Sequence, residues 1–193
     1  MTLICGIDEA GRGPLCGPVF ASAVILDSDA DDINNLTDSK KLSEKDRIFL
    51  HQQIKLKAVE FSFAMASVEE IDKINILQAS LLAMKRAFNL LKKQPDYIYI
   101  DGIYCPEIKN IPIKAIPKGD SLIQSISAAS IIAKVERDRY MLKIDKKYPQ
   151  YKLKQHKGYP TKEHIKLLNK YGVNEIYRHT FKPVKNLVDK ENT

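Results

Sequence analysis

An apolar segment, Leu3-Ile4-Cys5-Gly6-Ile7, runs directly into Asp8-Glu9-Ala10-Gly11-Arg12-Gly13-Pro14. The first five residues read as a buried strand, and two adjacent carboxylates stand where it ends. The glycines on either side of Arg12 lack a Cβ and tolerate unusual φ/ψ, so the backbone there can approach a ligand closely. Carboxylates at a strand exit beside open backbone suit a hard-metal site. A bare Asp-Glu pair is ordinarily only solvated, whereas the whole seven-residue run is far more specific.

The rest of the chain alternates strand and helix patterns. Residues 19–26 are apolar and β-branched and pair with the first strand across a Gly/Pro loop. Ser43 with Asp46 opens a helix through about residue 57, and residues 59–66 alternate as a third strand. Ser67 with Glu70 is a capping box, followed by Ile74, Leu77, Leu81, Met84, Phe88 and Leu91 at spacings of three and four, a core-facing helical stripe. Pro95 ends that helix. Tyr97-Ile98-Tyr99-Ile100 forms a strand ending at Asp101-Gly102, and residues 113–116 form another leading to Lys118-Gly119-Asp120. Residues 121–147 read as one long helix, with Ser125, Ala128, Ala129 and Ala133 allowing close packing. A basic loop over 151–160 and a helix over 162–171 ended by Gly172 follow. The last twenty residues are expected to be irregular or weakly helical. Strand and helix patterns mixed in this way give an α/β class with helices on both faces of a sheet.

With 193 residues the chain suits one domain, able to bury about 70% of its unfolded surface. The net charge of +7, from 31 Lys and Arg, favours a polyanionic partner such as nucleic acid. Cys5, Cys16 and Cys105 are odd in number and lack metal-ligand spacing, which argues against a disulfide framework or a zinc site and fits a reducing cytoplasm. No apolar run approaches the ~18 residues of a membrane span.

Asp8, Glu9 and Asp101 all fall at the ends of apolar strands, where open α/β sheets place their ligand crevices. Gathered without a cation they would repel one another and raise each other's pKa. Carboxylate oxygens suit Mg²⁺ or Mn²⁺. Asp120 precedes a helix and can serve as an N-cap as well as a ligand. His51, His156, His164 and His179 are expected to be structural or solvent-facing.

The seven-residue run resembles the opening motif of bacterial ribonuclease HII. The resemblance continues in order through Asp38-Ser39-Lys40-Lys41-Leu42, Tyr99-Ile100-Asp101-Gly102, Lys118-Gly119-Asp120-Ser121, Ser127-Ala128-Ala129-Ser130-Ile131-Ile132-Ala133-Lys134-Val135 and His156-Lys157-Gly158-Tyr159-Pro160-Thr161. It implies a ribonuclease H-like mixed sheet flanked by helices, with residues from about 150 to 193 as a helical or irregular extension of a single catalytic domain. It implies that Asp8, Glu9, Asp101 and Asp120 are the catalytic acids and metal ligands. Two Mg²⁺ or Mn²⁺ ions ~3.5–4 Å apart would hydrolyse the phosphodiester, leaving a 5′-phosphate and a 3′-hydroxyl. The implied substrates are RNA/DNA hybrids and duplex DNA carrying single ribonucleotides. Gly11, Arg12 and Gly13 would contact the ribose, and Tyr159 would pack on the neighbouring sugar. Ser39, Lys40 and Lys118 would bind substrate, with Lys41, Lys154 and Lys157 as further phosphate contacts. A cytoplasmic monomer is expected.

A catalytically inactive duplex-binding module is the alternative, but it should have lost acids and none is lost. The related ribonuclease HIII type usually adds an N-terminal substrate-binding domain, whereas the first strand here begins at about Leu3, and the Gly-Arg-Gly triplet fits type HII better. A structural or partner-binding protein would leave the acids unexplained. Asp138 also lies in a resembling segment. On a continuous helix it would stand roughly 27 Å from Asp120, too far to share a metal centre, so local hydrogen bonding or charge pairing with its Arg neighbours is expected instead.

Overall fold

A computed structural model describes residues 2–27 and 42–191. Five strands form one sheet in the order β3-β2-β1-β4-β5. They are β1 (Leu3–Ala10), β2 (Val19–Asp27), β3 (Glu60–Ala66), β4 (Tyr97–Asp101) and β5 (Ile113–Ile116). β2 runs antiparallel to both β1 and β3, and β4 and β5 run parallel to β1. β1, β4 and β5 therefore all end at one edge of the sheet. The sheet is mixed and flanked by helices on both faces, as the sequence patterns led one to expect.

Side chains alternate across a strand, and the two faces have different partners. Cys5, Ile7, Ile98 and Ile100 face α2 (Val68–Asn89), packing with Ile71, Ala79, Ala83 and Ala87. Each buried isoleucine contributes about 1.5–3 kcal/mol there. On the other face α3 (Gln124–Lys147) and α1 (Glu44–Lys57) cover Val24 through Ala128, Ala129, Ile131, Ile132, Leu50 and Ile54. A third cluster joins the end of α3 to α4 (Leu153–His156), α5 (Lys162–Tyr171) and α6 (Lys182–Glu191), and it encloses Leu15 and Cys16 of the loop after β1.

The expected elements recur with five differences. α2 is not one continuous helix: Asn75 has φ 66 and ψ 165, and its Oδ1 accepts from the amides of Leu77 and Gln78. Its side chain re-caps the second half. The most deeply buried face of α2 is made by alanines rather than by the larger stripe residues, because small side chains let the helix sit close to the sheet. The helix expected from residue 121 begins at Gln124 instead, after a separate 3₁₀ turn at Gly119–Ser121. Within the basic segment, Leu153–His156 is a helical turn, and the C-terminal residues form α6, which docks by burying Val184. Ser39, Lys40 and Lys41 lie outside the described residues.

Gly6 sets how close α3 comes to β1. A Cβ at this position would stand 2.0 Å from the Ser125 carbonyl carbon and 2.2 Å from the Ile126 nitrogen, both backbone atoms that cannot swing aside. Gly6→Ala is expected to lower unfolding free energy by at least about 3 kcal/mol, above the usual range for overpacking because helix backbone must move. Urea denaturation followed by circular dichroism measures it; a loss below about 1 kcal/mol contradicts this packing.

Candidate active site

Ile7 pairs with Ile100 in the parallel β1/β4 register, so one step further Asp8 lies beside Asp101. Both side chains emerge on the face covered by α3. The chain leaves β5 at Ile116, passes Lys118 in a left-handed conformation (φ 56), and turns through Gly119–Ser121, bringing Asp120 back over the strand ends. One carboxylate oxygen from each of Asp8, Asp101 and Asp120 lies within 4.8 Å of the others. The Asp120 amide also donates to Asp101 Oδ1 at 3.4 Å, a long bond.

Glu9 is adjacent in sequence but lies outside this group of three, as strand alternation requires. Its Oε1 pairs with Arg12 Nη1 at 3.3 Å. Burial pushes the Glu9 carboxyl above its ordinary range, and the Arg12 charge pulls it part of the way back. Burial likewise pushes Asp8 well above the usual carboxylate range, with the Glu9 and Asp101 charges adding to the rise. Two hydrogen bonds oppose that rise: the Glu9 amide donates to Asp8 Oδ1 at 2.7 Å, and the Ser130 hydroxyl of α3 donates to the same carboxyl. Three crowded carboxylates without His or Cys form a donor set that fits a hard divalent cation, whose charge removes the repulsion.

A cleft of about 250 Å³ opens beside Asp8, lined by Gly11, Arg12, Gly13, Ser130, Lys134 and Tyr159 among others. Tyr159 is 40% exposed, and its ring edge lies 3.7 Å from where a Cβ on Gly13 would sit. Behind it, His164 Nδ1 lies 2.9 Å from the Tyr159 carbonyl, and His164 stacks on His156 at 4.1 Å between centroids. Both histidines are buried, with pKa values lowered by desolvation, His164 to about 4. They hold the tyrosine loop in shape. His51 faces Glu136 at 2.8 Å. Lys118 is exposed at the turn before Asp120.

Lys134 was not singled out by sequence reasoning, yet its Nζ sits 5.6 Å from the Tyr159 ring centroid at the cleft wall. Asp138 Oδ1 holds it at 2.8 Å. Of the two roles expected for Asp138, local hydrogen bonding is the one observed: an i,i+4 spacing puts Lys134 on the same helix face as Asp138, while Arg139 pairs with Glu136 and Arg137 is buried. That spacing was a usable signal. Arg137 and Arg178, also missed, lie beneath the glycine loop and gave no local signal.

The mixed sheet with acids gathered at its parallel strand ends defines a ribonuclease H-like nuclease. The family model described as Ribonuclease HII matches residues 5–184. Curated proteins named Ribonuclease HII are similar over almost their whole lengths. That of Natranaerobius thermophilus is 50% identical over 191 residues, covering 99% of this chain and 96% of the relative. That of Neisseria meningitidis is 54% identical over 186 residues, covering 96% and 95%. Among solved structures, ribonuclease H2 from Pyrococcus horikoshii aligns with a TM-score of 0.84 at 27% identity over all of both chains. A ribonuclease HIII solved with Mn²⁺ shares the fold, with a TM-score of 0.74 at 16% identity over 98% of this chain and 70% of that one. The chain belongs to the ribonuclease HII family and is an endoribonuclease of the ribonuclease H type.

The raised Asp8 pKa has a measurable consequence. The folded state holds this proton more tightly than the unfolded chain does, so stability is fully present below the unfolded value of about 3.9 and is lost as pH climbs through the folded value. Asp8→Asn removes that loss while keeping a polar partner for Ser130. In EDTA at pH 8 the variant is expected to melt above the wild type, and only the wild type should gain stability from added Mn²⁺. Thermal melts check both, and a lower melting temperature for the variant in EDTA contradicts the repulsion.

Proposed function

We propose that this chain, acting as one catalytic domain and as a monomer, hydrolyses the RNA strand of RNA/DNA hybrids. We extend the proposal to single ribonucleotides embedded in duplex DNA. The products would be a 5′-phosphate and a 3′-hydroxyl. The observation that carries the reading is the close approach of Asp8, Asp101 and Asp120 at the mouth of a cleft walled by Gly11-Arg12-Gly13 and Tyr159.

In this reading Asp8, Asp101 and Asp120 hold the divalent ions, Mg²⁺ or Mn²⁺, and Glu9 completes the acidic set from beside Arg12. Two such ions would supply an activated water and charge stabilisation at the leaving 3′ oxygen. The chain's own residues orient the substrate. Gly11-Arg12-Gly13 presents main chain to the ribose, whose 2′-hydroxyl is the local difference between RNA and DNA. Tyr159 offers a flat, half-exposed face to the neighbouring sugar. Lys134, held by Asp138, and Lys118, exposed beside Asp120, are placed to meet phosphates, which fixes register without sequence choice. Ser39 and Lys40 belong to the same reading through the resemblance.

Matched duplexes carrying zero, one or several ribonucleotides, incubated with each metal separately and resolved on denaturing gels, test the reading. The wild type is expected to cut the second and third and leave the first intact. Asp101→Asn and Asp120→Asn should each lower cleavage at least about a hundredfold, since a lost ligand removes several kcal/mol of charge stabilisation, while duplex binding persists. Tyr159→Ala should fold normally and lose turnover at the single ribonucleotide. Binding without cleavage by the wild type would instead identify an inactive duplex-binding module.

A further inference from the structure

Two arginines with no exposed surface lie under the glycine loop. Arg178 reaches it from the segment before α6: its Nη2 donates to the Gly11 carbonyl at 2.6 Å and its Nη1 to those of Arg12 and Pro14 at 3.0 and 2.8 Å. Its Nε donates to Gly17 at 2.9 Å. Arg137 of α3 donates to the carbonyls of Pro18, Cys16 and Lys157 at 3.2, 3.3 and 3.1 Å. Neither makes an ion pair among the described residues. Two guanidinium charges placed side by side in the interior, with main-chain carbonyls and the rings of Phe181 and Tyr159 as partners but no carboxylate in an ion pair, cost more than loop packing alone would call for. Desolvation, with the neighbouring Arg137 charge, brings the Arg178 pKa down to about 9, so it still carries its charge at neutral pH.

The carbonyl count explains the arrangement. A peptide unit is planar and its C=O and N–H point in opposite directions. With the Gly11 and Arg12 carbonyls drawn down onto Arg178, the amides of Arg12 and Gly13 are turned outward. Those two N–H groups have no acceptor among the described residues, and both residues are exposed. Gly11 itself adopts φ +100, and a Cβ there would lie 2.0 Å from Arg137 Nε, so the loop rests directly on the second guanidinium.

We infer that Arg178, with Arg137, is a positioning residue that draws the Gly11 and Arg12 carbonyls inward and so presents the Arg12 and Gly13 amides to a sugar-phosphate oxygen of the substrate. The inference rests on the reading of this cleft as a ribonucleotide site. Lysine keeps the charge but lacks the planar fork that engages four carbonyls at once.

Arg178→Lys and Arg137→Lys test it, each compared with the wild type below its melting temperature. Two readouts apply: kcat/KM on a DNA duplex carrying one ribonucleotide, and the ¹⁵N heteronuclear NOE of the Arg12 and Gly13 amides. The expected result for Arg178→Lys is a kcat/KM lower by about ten- to a hundredfold. Mn²⁺ affinity by calorimetry should be unchanged and the NOE at the two amides reduced. Arg137→Lys should move both readouts in the same direction, and it carries the test if Arg178→Lys does not fold. Folded variants with wild-type kcat/KM and wild-type NOE values would overturn the inference, leaving the arginines as packing alone. A wild type that fails to cut the duplex refutes the functional reading instead; the NOE measurement then still decides whether the arginines order the loop.

Discussion

The seating of α3 on β1 is the contact on which the site depends. Three successive meetings run up the strand: Gly6 against Ser125, Asp8 against Ser130, and Gly11 against Arg137. Strand and helix climb in step along this seam. Two strand residues rise about 7 Å and five helical residues about 7.5 Å; five strand residues rise about 17 Å and twelve helical residues about 18 Å. One helix can thus serve the strand end and the loop beyond it without bending. The same helix is preceded by the turn that carries Asp120, so a shift of α3 would move one acid, the hydroxyl on another and the floor of the glycine loop together.

Around this seam the protein places like charges close together twice. At the strand ends three carboxylates crowd within 4.8 Å, a destabilising arrangement that a divalent cation relieves. Just behind, Arg137 and Arg178 are buried among main-chain carbonyls. The first arrangement is open to solvent along a cleft and can take up a ligand; the second is sealed and already saturated with acceptors. Their division of labour follows from access: the charges beside the cleft serve chemistry, and the enclosed ones fix the shape of the loop beside it. The C-terminal elements, beyond the last strand, are what enclose Arg178, which gives the helical extension a role in the site.

Local patterns revealed most of the fold. Apolar runs marked the strands, the Ser67/Glu70 capping box marked the start of α2, and Asp8 and Asp101 stood out because strand exits are where a carboxylate can reach a crevice. Asp120 was marked by resemblance rather than by pattern, since an acid before a helix is commonly only a cap. The break at Asn75 escaped because a side-chain cap inside an apolar periodicity leaves the periodicity intact. Arg137 and Arg178 escaped for a deeper reason: their partners lie up to 167 residues away in sequence, and nothing in a local window distinguishes a buried arginine from a solvated one.

The seam between β1 and α3 gathers Asp8, Asp101 and Asp120 into one hard-metal site. Anomalous diffraction from crystals grown with Mn²⁺ tests it most directly. The expected result is anomalous density beside carboxylate oxygens of all three residues. An ordered acid cluster with no anomalous density, or Mn²⁺ bound only at some other carboxylates, would contradict it.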